Sequence, residues 1–222
     1  KSIDIEVSEE SVILADSLVK IENKGNMLVY SSEKMEKVAY NTLSIPLGAE
    51  YCVMLPDNTK VFLNSGSELR YPVAFNNNSR EVFLQGEAYF EVQKDSTKEF
   101  IVHTDQMKIR VLGTSFNVKA YPDESNVQTT LLQGKVVVFV GEDKKEKVEI
   151  RPSQQAEWDR GRVKLQVREV DPDLFVAWKN GHFIFRQDRL EDIMRALARW
   201  YDMEVIYLDA SIKDMAFAGK LD

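Results

Sequence analysis

The sequence predicts a mainly β fold, in which an all-β sandwich or short solenoid-like domain is followed by a small α+β domain of βαβ type. Two observations predict it. Runs of residues that alternate between apolar and polar fill the chain up to about residue 168, with turn signals between them. Beyond residue 170, apolar residues recur at helical spacing instead. We therefore expect a β domain at residues 1–169 and a small domain at residues 170–222.

The clearest alternating run covers residues 80–92. One face is apolar and holds Val82, Leu84, Ala88, Phe90 and Val92. The other face carries Glu81, Gln85, Glu87, Tyr89 and Glu91, and we interpret Glu87 and Glu91 as solvated. Gly86 interrupts the run and predicts a bulge or bend in the strand.

Further strands flank turn residues in pairs. Pro56-Asp57-Asn58-Thr59 has the composition of a hairpin-like turn, and Gly113, Gly134 and Pro152 mark three other connections. The predicted strands are residues 51–55 and 60–64, 108–112 and 115–119, 127–132 and 135–140, 148–150 and 156–159, together with 11–21 and 27–31.

The small domain begins with a helical turn. Asp171 supplies a capping carboxylate, and Pro172 occupies the first helical position. Asn180-Gly181 ends this turn, and a short strand at residues 182–186 follows.

A helix and two strands complete the predicted β-α-β unit. The helix begins at Asp188, which forms a pattern similar to a capping box with Glu191. Strands are expected at residues 203–208 and 215–221. The apolar stripe of the helix consists of Leu190, Ile193, Met194, Leu197, Trp200 and Tyr201.

The charge balance argues against a nucleic-acid or anionic-lipid partner. The net charge is −7, whereas a nucleic-acid surface needs a concentrated basic patch. The predicted helix does carry Arg189, Arg195 and Arg199. Because Glu191 and Asp192 lie four and three positions before Arg195, we interpret these arginines as ordinary helix-surface residues.

The cysteine count and the hydropathy pattern indicate neither an internal disulfide nor a membrane-spanning helix. Cys52 is the single cysteine, so no internal disulfide is possible, and its apolar neighbours predict a buried small hydrophobe. The longest aliphatic-aromatic run, Val136 to Val140, is far shorter than the roughly 20 residues that a membrane helix needs. Since the chain opens on Lys1, we expect it to be a fragment of a larger protein.

No catalytic, metal or cofactor site is predicted. His103 and His182 lie far from each other and from Cys52 in the sequence, and no phosphate-binding, zinc or nucleophile motif occurs. Glu87 and Glu91 are the most plausible acid pair. At about 3.3 Å per residue their backbones lie about 13 Å apart, and glycosidase carboxyls are at most about 9.5 Å apart. We therefore expect a non-enzymatic protein.

Five motifs, in this order and spacing, resemble the FecR family of anti-sigma regulators. They are LPDNTKVFLNSGS at residues 55–67, VFLQGEAYFEV at 82–92, VLGTSFNV at 111–118, LLQGKV at 131–136 and PSQQA at 152–156. Asn58 stands where the family commonly has glycine; asparagine also tolerates a positive φ, so we expect the turn to be retained. Residues 178–201 are similar to the small domain that follows in the family.

The resemblance implies a signalling role. It implies a periplasmic sensor region of a single-pass inner-membrane protein, which relays a signal from an outer-membrane TonB-dependent transporter to an extracytoplasmic-function sigma factor. The small domain is similar to the short signalling domains (STN) of secretins and TonB-linked receptors, and we expect it to be incomplete at its C-terminal end. The membrane helix and the cytoplasmic sigma-binding segment are expected outside this chain.

Two other functions stay open at this level. A carbohydrate-binding β-module would place exposed aromatics such as Tyr71, Tyr89 or Tyr121 in a groove. A hydrolase on the β scaffold would need a concave site with two convergent carboxyls.

The predicted partner contact lies on the small domain. Its strands would expose an unpaired edge, which invites strand addition by another chain. We expect the transporter's signalling domain to pair there along Val205, Ile206 and Tyr207.

Overall fold

The structure, a computed structural model, describes residues 11–15, 19–23, 27–32, 39–76, 78–141 and 146–221. Within these residues the chain forms eighteen strands, one α-helix and three 3₁₀ turns. The first nine strands are β1 (Ser11–Ala15), β2 (Val19–Asn23), β3 (Met27–Ser32), β4 (Tyr40–Ser44), β5 (Tyr51–Met54), β6 (Lys60–Leu63), β7 (Glu68–Pro72), β8 (Ser79–Glu91) and β9 (Glu99–His103). The next seven are β10 (Met107–Val111), β11 (Ser115–Ala120), β12 (Asn126–Gln133), β13 (Val136–Val140), β14 (Glu146–Ile150), β15 (Gln154–Asp159) and β16 (Lys164–Glu169).

The C-terminal segment, residues 172–221, contains 3₁₀ turns and a helix as well as strands. Two 3₁₀ turns, Pro172–Phe175 and Ala177–Asn180, lead into strand β17 (Phe183–Arg189) and helix α1 (Leu190–Tyr201). A third 3₁₀ turn, Ala210–Asp214, precedes strand β18 (Ala216–Leu221), which pairs antiparallel with β17. The mainly β fold with a small C-terminal α+β part is thus confirmed.

Two sheets share the long strand β8. The first sheet has the order β1-β2-β3-β5-β6-β8-β11-β12-β15-β16. The second has the order β4-β7-β8-β9-β10-β13-β14. The first half of β8 pairs with β7 and β9, whereas its second half pairs with β6 and β11. One strand therefore joins both sheets of a nearly closed β structure.

Gly86 lies where β8 passes from one sheet to the other. Its φ is 100°, and a Cβ at this position would lie 2.5 Å from Ser67 Oγ and 2.7 Å from Ser67 Cα. Only glycine fits such a conformation and such a close approach. The Ser67 hydroxyl accepts from the Glu87 backbone N–H at 2.9 Å, which fixes the bend. β8 nevertheless runs unbroken through Gly86 from Ser79 to Glu91, so the predicted interruption is a change of sheet partners rather than a break in the strand.

The other glycine-containing motifs are corners between the sheets. Gly113 connects β10 of the second sheet to β11 of the first, and Gly134 connects β12 of the first to β13 of the second. Ser153, at φ 67°, lies between β14 and β15 in the same way. The strands that flank these turns lie close to their predicted bounds. The two strands on either side of each turn belong to different sheets, so they do not pair with each other. Among the four turns singled out in the sequence, the one at Asn58, which adopts φ 66°, closes a hairpin, between β5 and β6.

The core fills the space between the two sheets. The predicted apolar face of β8 is buried, since Phe90 and Val82 are 0 % exposed. Phe90 stacks on Phe116 with ring centroids 5.1 Å apart. Side chains of both sheets, such as Leu131 and Val138, belong to the same buried cluster.

Three details of the predicted strands and helix differ from the structure. Residues 11–21 form parts of two paired strands, β1 and β2, with residues 16–18 outside the described range. Residues 203–208 are not a strand, so this prediction is wrong; among the described residues the sheet of the C-terminal segment consists of β17 and β18 alone. Asp188 does not cap α1, because its carboxylate accepts from the Arg186 backbone N–H inside β17.

The turn that opens the C-terminal segment follows its prediction. Asp171 caps it through its side chain, Pro172 is the first residue, and Gly181 ends the second turn at φ 76°. Both turns are 3₁₀ rather than α.

Candidate functional site

The outer face of the first sheet is covered by the C-terminal segment. Glu87 is 8 % exposed, so the prediction that it is solvated is wrong, and Tyr89 on the same face is 5 % exposed. Glu91, the other glutamate predicted to be solvated, is half-buried, and Gln85 is exposed. The difference arises because a second layer of chain lies over β8 beyond Gly86, whereas the sequence of a strand reveals only its own alternation.

An apolar group joins the two layers. We call it the interface cluster. It consists of Phe62, Tyr89, Leu132, Val176, Trp178, Phe183, Phe185, Leu197 and Trp200. Phe183 packs edge-on against Trp200, with ring centroids 4.9 Å apart. The Lys179 ammonium lies 4.2 Å from the Tyr89 ring centroid, a cation–π contact that adds to the packing.

The apolar stripe of α1 is thereby explained. Trp200 and Leu197 face the interface cluster and Ile193 is buried, whereas Tyr201 is 57 % exposed. An amphipathic helix needs an apolar partner surface. The outward Phe62, Tyr89 and Leu132 of the first sheet provide that surface.

A charged network lies at the edge of this interface. It comprises Glu87, Lys119, Asp123, Glu124 and Arg199. Arg199 Nη1 donates to Glu124 Oε1 at 2.6 Å, and Nη2 donates to both oxygens of Asp123 at 2.9 and 2.8 Å. The Arg199 guanidinium also lies 3.7 Å from the ring centroid of Tyr121. Arg199 is therefore not an ordinary helix-surface residue, although Arg195 is, since it pairs with Glu191 and Asp192 of its own helix.

Glu87, which is buried, and Lys119, which is half-buried, are two further members of this network. The Glu87 carboxylate accepts from Asn64 Nδ2 and Asn117 Nδ2, both at 2.9 Å. Burial raises the pKa of Glu87, and Lys119 and the two amides offset this only in part. Lys119 Nζ lies 2.9 Å from Glu124 Oε2. Burial lowers the pKa of Lys119, but Glu124 and Glu87 more than offset this and leave the pKa raised.

A cavity of about 280 Å³ lies beside the network, between the first sheet and the C-terminal segment. Glu87, Lys119 and Arg199 line it together with Trp178 and Phe183. Cationic and anionic side chains thus meet beside an apolar wall.

The two histidines lie in different parts of the molecule. His103 Nε2 lies 2.9 Å from Glu81 Oε2 on the second sheet, whereas His182 lines the cavity under the C-terminal segment. Among the described residues, no group of three or more histidine, cysteine or acidic side chains is placed to hold a metal ion.

The tyrosines predicted for a carbohydrate groove are buried. Tyr71, Tyr89 and Tyr121 are 0 %, 5 % and 4 % exposed. The alternative of a carbohydrate-binding module requires exposed aromatics, and these three do not supply them, because Tyr71 lies in the core and the other two lie under the C-terminal segment.

The predicted partner residues lie in an irregular stretch that follows α1. Ile206 is 77 % exposed, Leu208 is 99 % exposed, and Val205 and Tyr207 are half-buried. Every residue of the neighbouring strand β18 is exposed, Phe217 among them. The C-terminal segment therefore presents apolar side chains on the side that does not cover the first sheet.

Comparisons with known proteins agree on one family. The family model described as "FecR protein" matches residues 41–137, and the model described as "FecR, C-terminal" matches residues 182–222. No curated protein matches the chain.

Crystal structures of a candidate anti-sigma factor from Parabacteroides distasonis ATCC 8503 are similar. One, at 1.65 Å resolution, has a TM-score of 0.78 and 32 % sequence identity, over 82 % of this chain and 84 % of that one. Another, at 2.50 Å, has the same TM-score and identity over 83 % and 85 % of the two chains.

Proposed function

Because the chain belongs to the FecR family of anti-sigma regulators, we propose that it is the sensor region through which such a regulator receives a signal from outside the cytoplasm. The signal originates at an outer-membrane TonB-dependent transporter and is relayed to an extracytoplasmic-function sigma factor. The family establishes a signal-transducing regulator; the transporter and the class of sigma factor are part of the proposal.

One observation carries the proposal. The two family models match in order, and the parts that they match, residues 41–137 and 182–222, pack against each other through the interface cluster. A sensor that passes a signal along its chain needs such a contact between the part that receives the signal and the part that transmits it.

The proposed location is the periplasm, as the exported region of a single-pass inner-membrane protein. In the part of the chain that the structure describes, no helix is both long and apolar enough to cross a membrane. We also propose that residues 1–169 and 170–222 are separate domains, the second of which is STN-like. The proposed mechanism requires no catalysis and no cofactor.

Val205, Ile206 and Tyr207 remain the proposed contact for the transporter's signalling domain. Since residues 203–208 are not a strand, the exposed side chains support this contact better than backbone pairing does. Ile206 has the exposure of a residue available to a partner, and Met203 and Leu208 extend the same apolar stretch.

A reporter of sigma-dependent transcription tests the proposal in cells. The full-length regulator is expressed with the transporter, and with a transporter that lacks only its N-terminal signalling domain. The proposal predicts that the transporter's cargo changes reporter output only with the intact transporter. A response that persists without the signalling domain, or that persists without the regulator, would contradict it.

A further inference from the structure

Most of the charged side chains that line the cavity beside the charged network are already held in ion pairs. Lys119 pairs with Glu124, and Arg199 pairs with Glu124 and Asp123. Glu87 is held by two amides. A site built for a charged ligand would present charges without such partners. The arrangement instead has the character of a closed contact between two layers of the chain.

Arg199 is the arginine of α1 whose ion pairs leave the C-terminal segment. Arg189 pairs with Glu191, Asp192 and Asp214, and Arg195 pairs with the first two, so all of these contacts stay within the segment. Arg199, by contrast, reaches the loop between β11 and β12. Its side chain is only 12 % exposed, and that of Glu124 is 15 % exposed.

The backbone of Arg199 is also held, by a hydrogen bond from the β part of the chain. The Gly48 backbone N–H donates to the Arg199 carbonyl at 2.8 Å. The last turn of α1 is therefore fixed from two sides, by its carbonyl and by its guanidinium. Arg199 Nη2 contacts both oxygens of Asp123, and such guanidinium–carboxylate contacts combine strength with a defined geometry.

We propose that Arg199, with Asp123, Glu124 and Tyr121, is a latch that holds the C-terminal segment on the first sheet, and that its release lifts the segment and uncovers the interface cluster. The latch gives this chain two states, one with the outer face of β8 covered and one with it open. The inference concerns the chain alone and holds whatever partner supplies the signal.

Cys52 provides a reporter of the open state without any added residue. It is the chain's single cysteine, it is half-buried rather than buried as predicted, and it lines a small pocket with Phe62 and with Trp178 and Lys179 of the C-terminal segment. Burial raises the pKa of its thiol to about 11, so little reactive thiolate is present in the closed state. Lifting the segment removes that burial, and the thiol then reacts at the rate of an ordinary exposed cysteine.

The experiment measures the rate at which an aromatic disulfide reagent labels Cys52 in the whole chain. Arg199→Gln is compared with Arg195→Gln, which removes an equal charge from the same helix but leaves the latch intact. We expect Arg199→Gln to accelerate labelling by at least about tenfold, since loss of one partner of a largely buried charge pair weakens a contact by that order or more. Arg195→Gln should label at the parent rate.

A second variant and a second measurement decide between local opening and unfolding. Glu124→Gln removes the latch from the opposite side and should also accelerate labelling, with little further increase in the double variant. Hydrogen exchange should show lost protection in α1 and retained protection in β12 and β15. Equal labelling of the two arginine variants would overturn the proposal. Uniform loss of protection through both sheets would overturn it too, because the contact would then stabilise the fold as a whole.

Discussion

Arg199 Nη1 lies 2.6 Å from Glu124 Oε1, although 75 positions separate the two residues in the chain. This contact couples the C-terminal helix to the first sheet, and its energy can be measured. Parent, Arg199→Gln, Glu124→Gln and the double variant form a double-mutant cycle. We expect a coupling free energy of about 1–3 kcal/mol, the range for contacting residues in a charged network. Denaturant midpoints give the value, and additive losses would mean that the two residues act independently.

Glu87 gives a prediction on pH dependence. Burial raises the pKa of its carboxyl above the ordinary 4.5. The folded state therefore favours the protonated form, so the contribution of Glu87 to stability is greatest below that value and declines as the pH rises through the folded pKa. Glu87→Gln should gain stability relative to the parent as the pH rises.

The new amide can be accommodated, since Oδ1 of Asn117 is buried and has no hydrogen-bond partner among the described residues. Rotation of the Asn117 amide would let this oxygen accept from it. Denaturant midpoints of parent and Glu87→Gln between about pH 4 and about pH 8 test the sign. A variant that loses stability relative to the parent with rising pH would show that Lys119 stabilises the ionised carboxylate more than burial disfavours it.

The bend in β8 should not tolerate a side chain. Gly86→Ala would place a Cβ 2.5 Å from Ser67 Oγ at a φ of 100°, so we expect a loss of about 2–4 kcal/mol from strain and overpacking together. Gly181→Ala is the matched control, because Gly181 also has a positive φ but its Cβ would meet nothing within 4 Å. It should cost about 1 kcal/mol. Thermal or denaturant unfolding distinguishes the two, and equal losses would mean that close approach to Ser67 is unimportant.

Phe90 and Glu91 are adjacent on β8 but face opposite sides of the sheet, so substitutions at the two positions should differ in their cost to stability. Phe90 is 0 % exposed and stacks on Phe116, so Phe90→Ala should cost about 3–5 kcal/mol. Glu91 is half-buried and lies 3.8 Å from the Lys179 ammonium. Glu91→Ala should cost under about 0.5 kcal/mol, as for most surface changes. Similar denaturant midpoints for the two variants would show that the register of β8 is wrong.

The strands were predictable because their own alternation encodes which side faces the core. Val82 and Phe90 follow that rule on either side of Gly86. The connections between strands were less predictable, since a glycine such as Gly113 marks a turn without showing whether the chain stays in its sheet or crosses to the other.

The charged network could not be predicted from local sequence. Glu87 and Lys119 occupy the outward positions of their strands, where polar residues usually meet water. The only signal was indirect: the apolar stripe of α1 and the outward Phe62, Tyr89 and Leu132 each needed a partner surface. Residues 203–208 show the opposite error, because a short apolar stretch resembled a strand but found no neighbour to pair with.

The most direct test of the account is whether the transporter's signalling domain binds the exposed apolar stretch of the C-terminal segment. Calorimetric titration of that domain into the chain compares the parent with Ile206→Asp and with Leu112→Asp, a control whose side chain is 44 % exposed on the β part. Circular dichroism confirms that both variants fold. The account predicts binding by the parent and by Leu112→Asp, and a loss of at least about tenfold for Ile206→Asp, as expected for a central apolar contact. Equal affinity of both variants, or no binding by the parent, would contradict it.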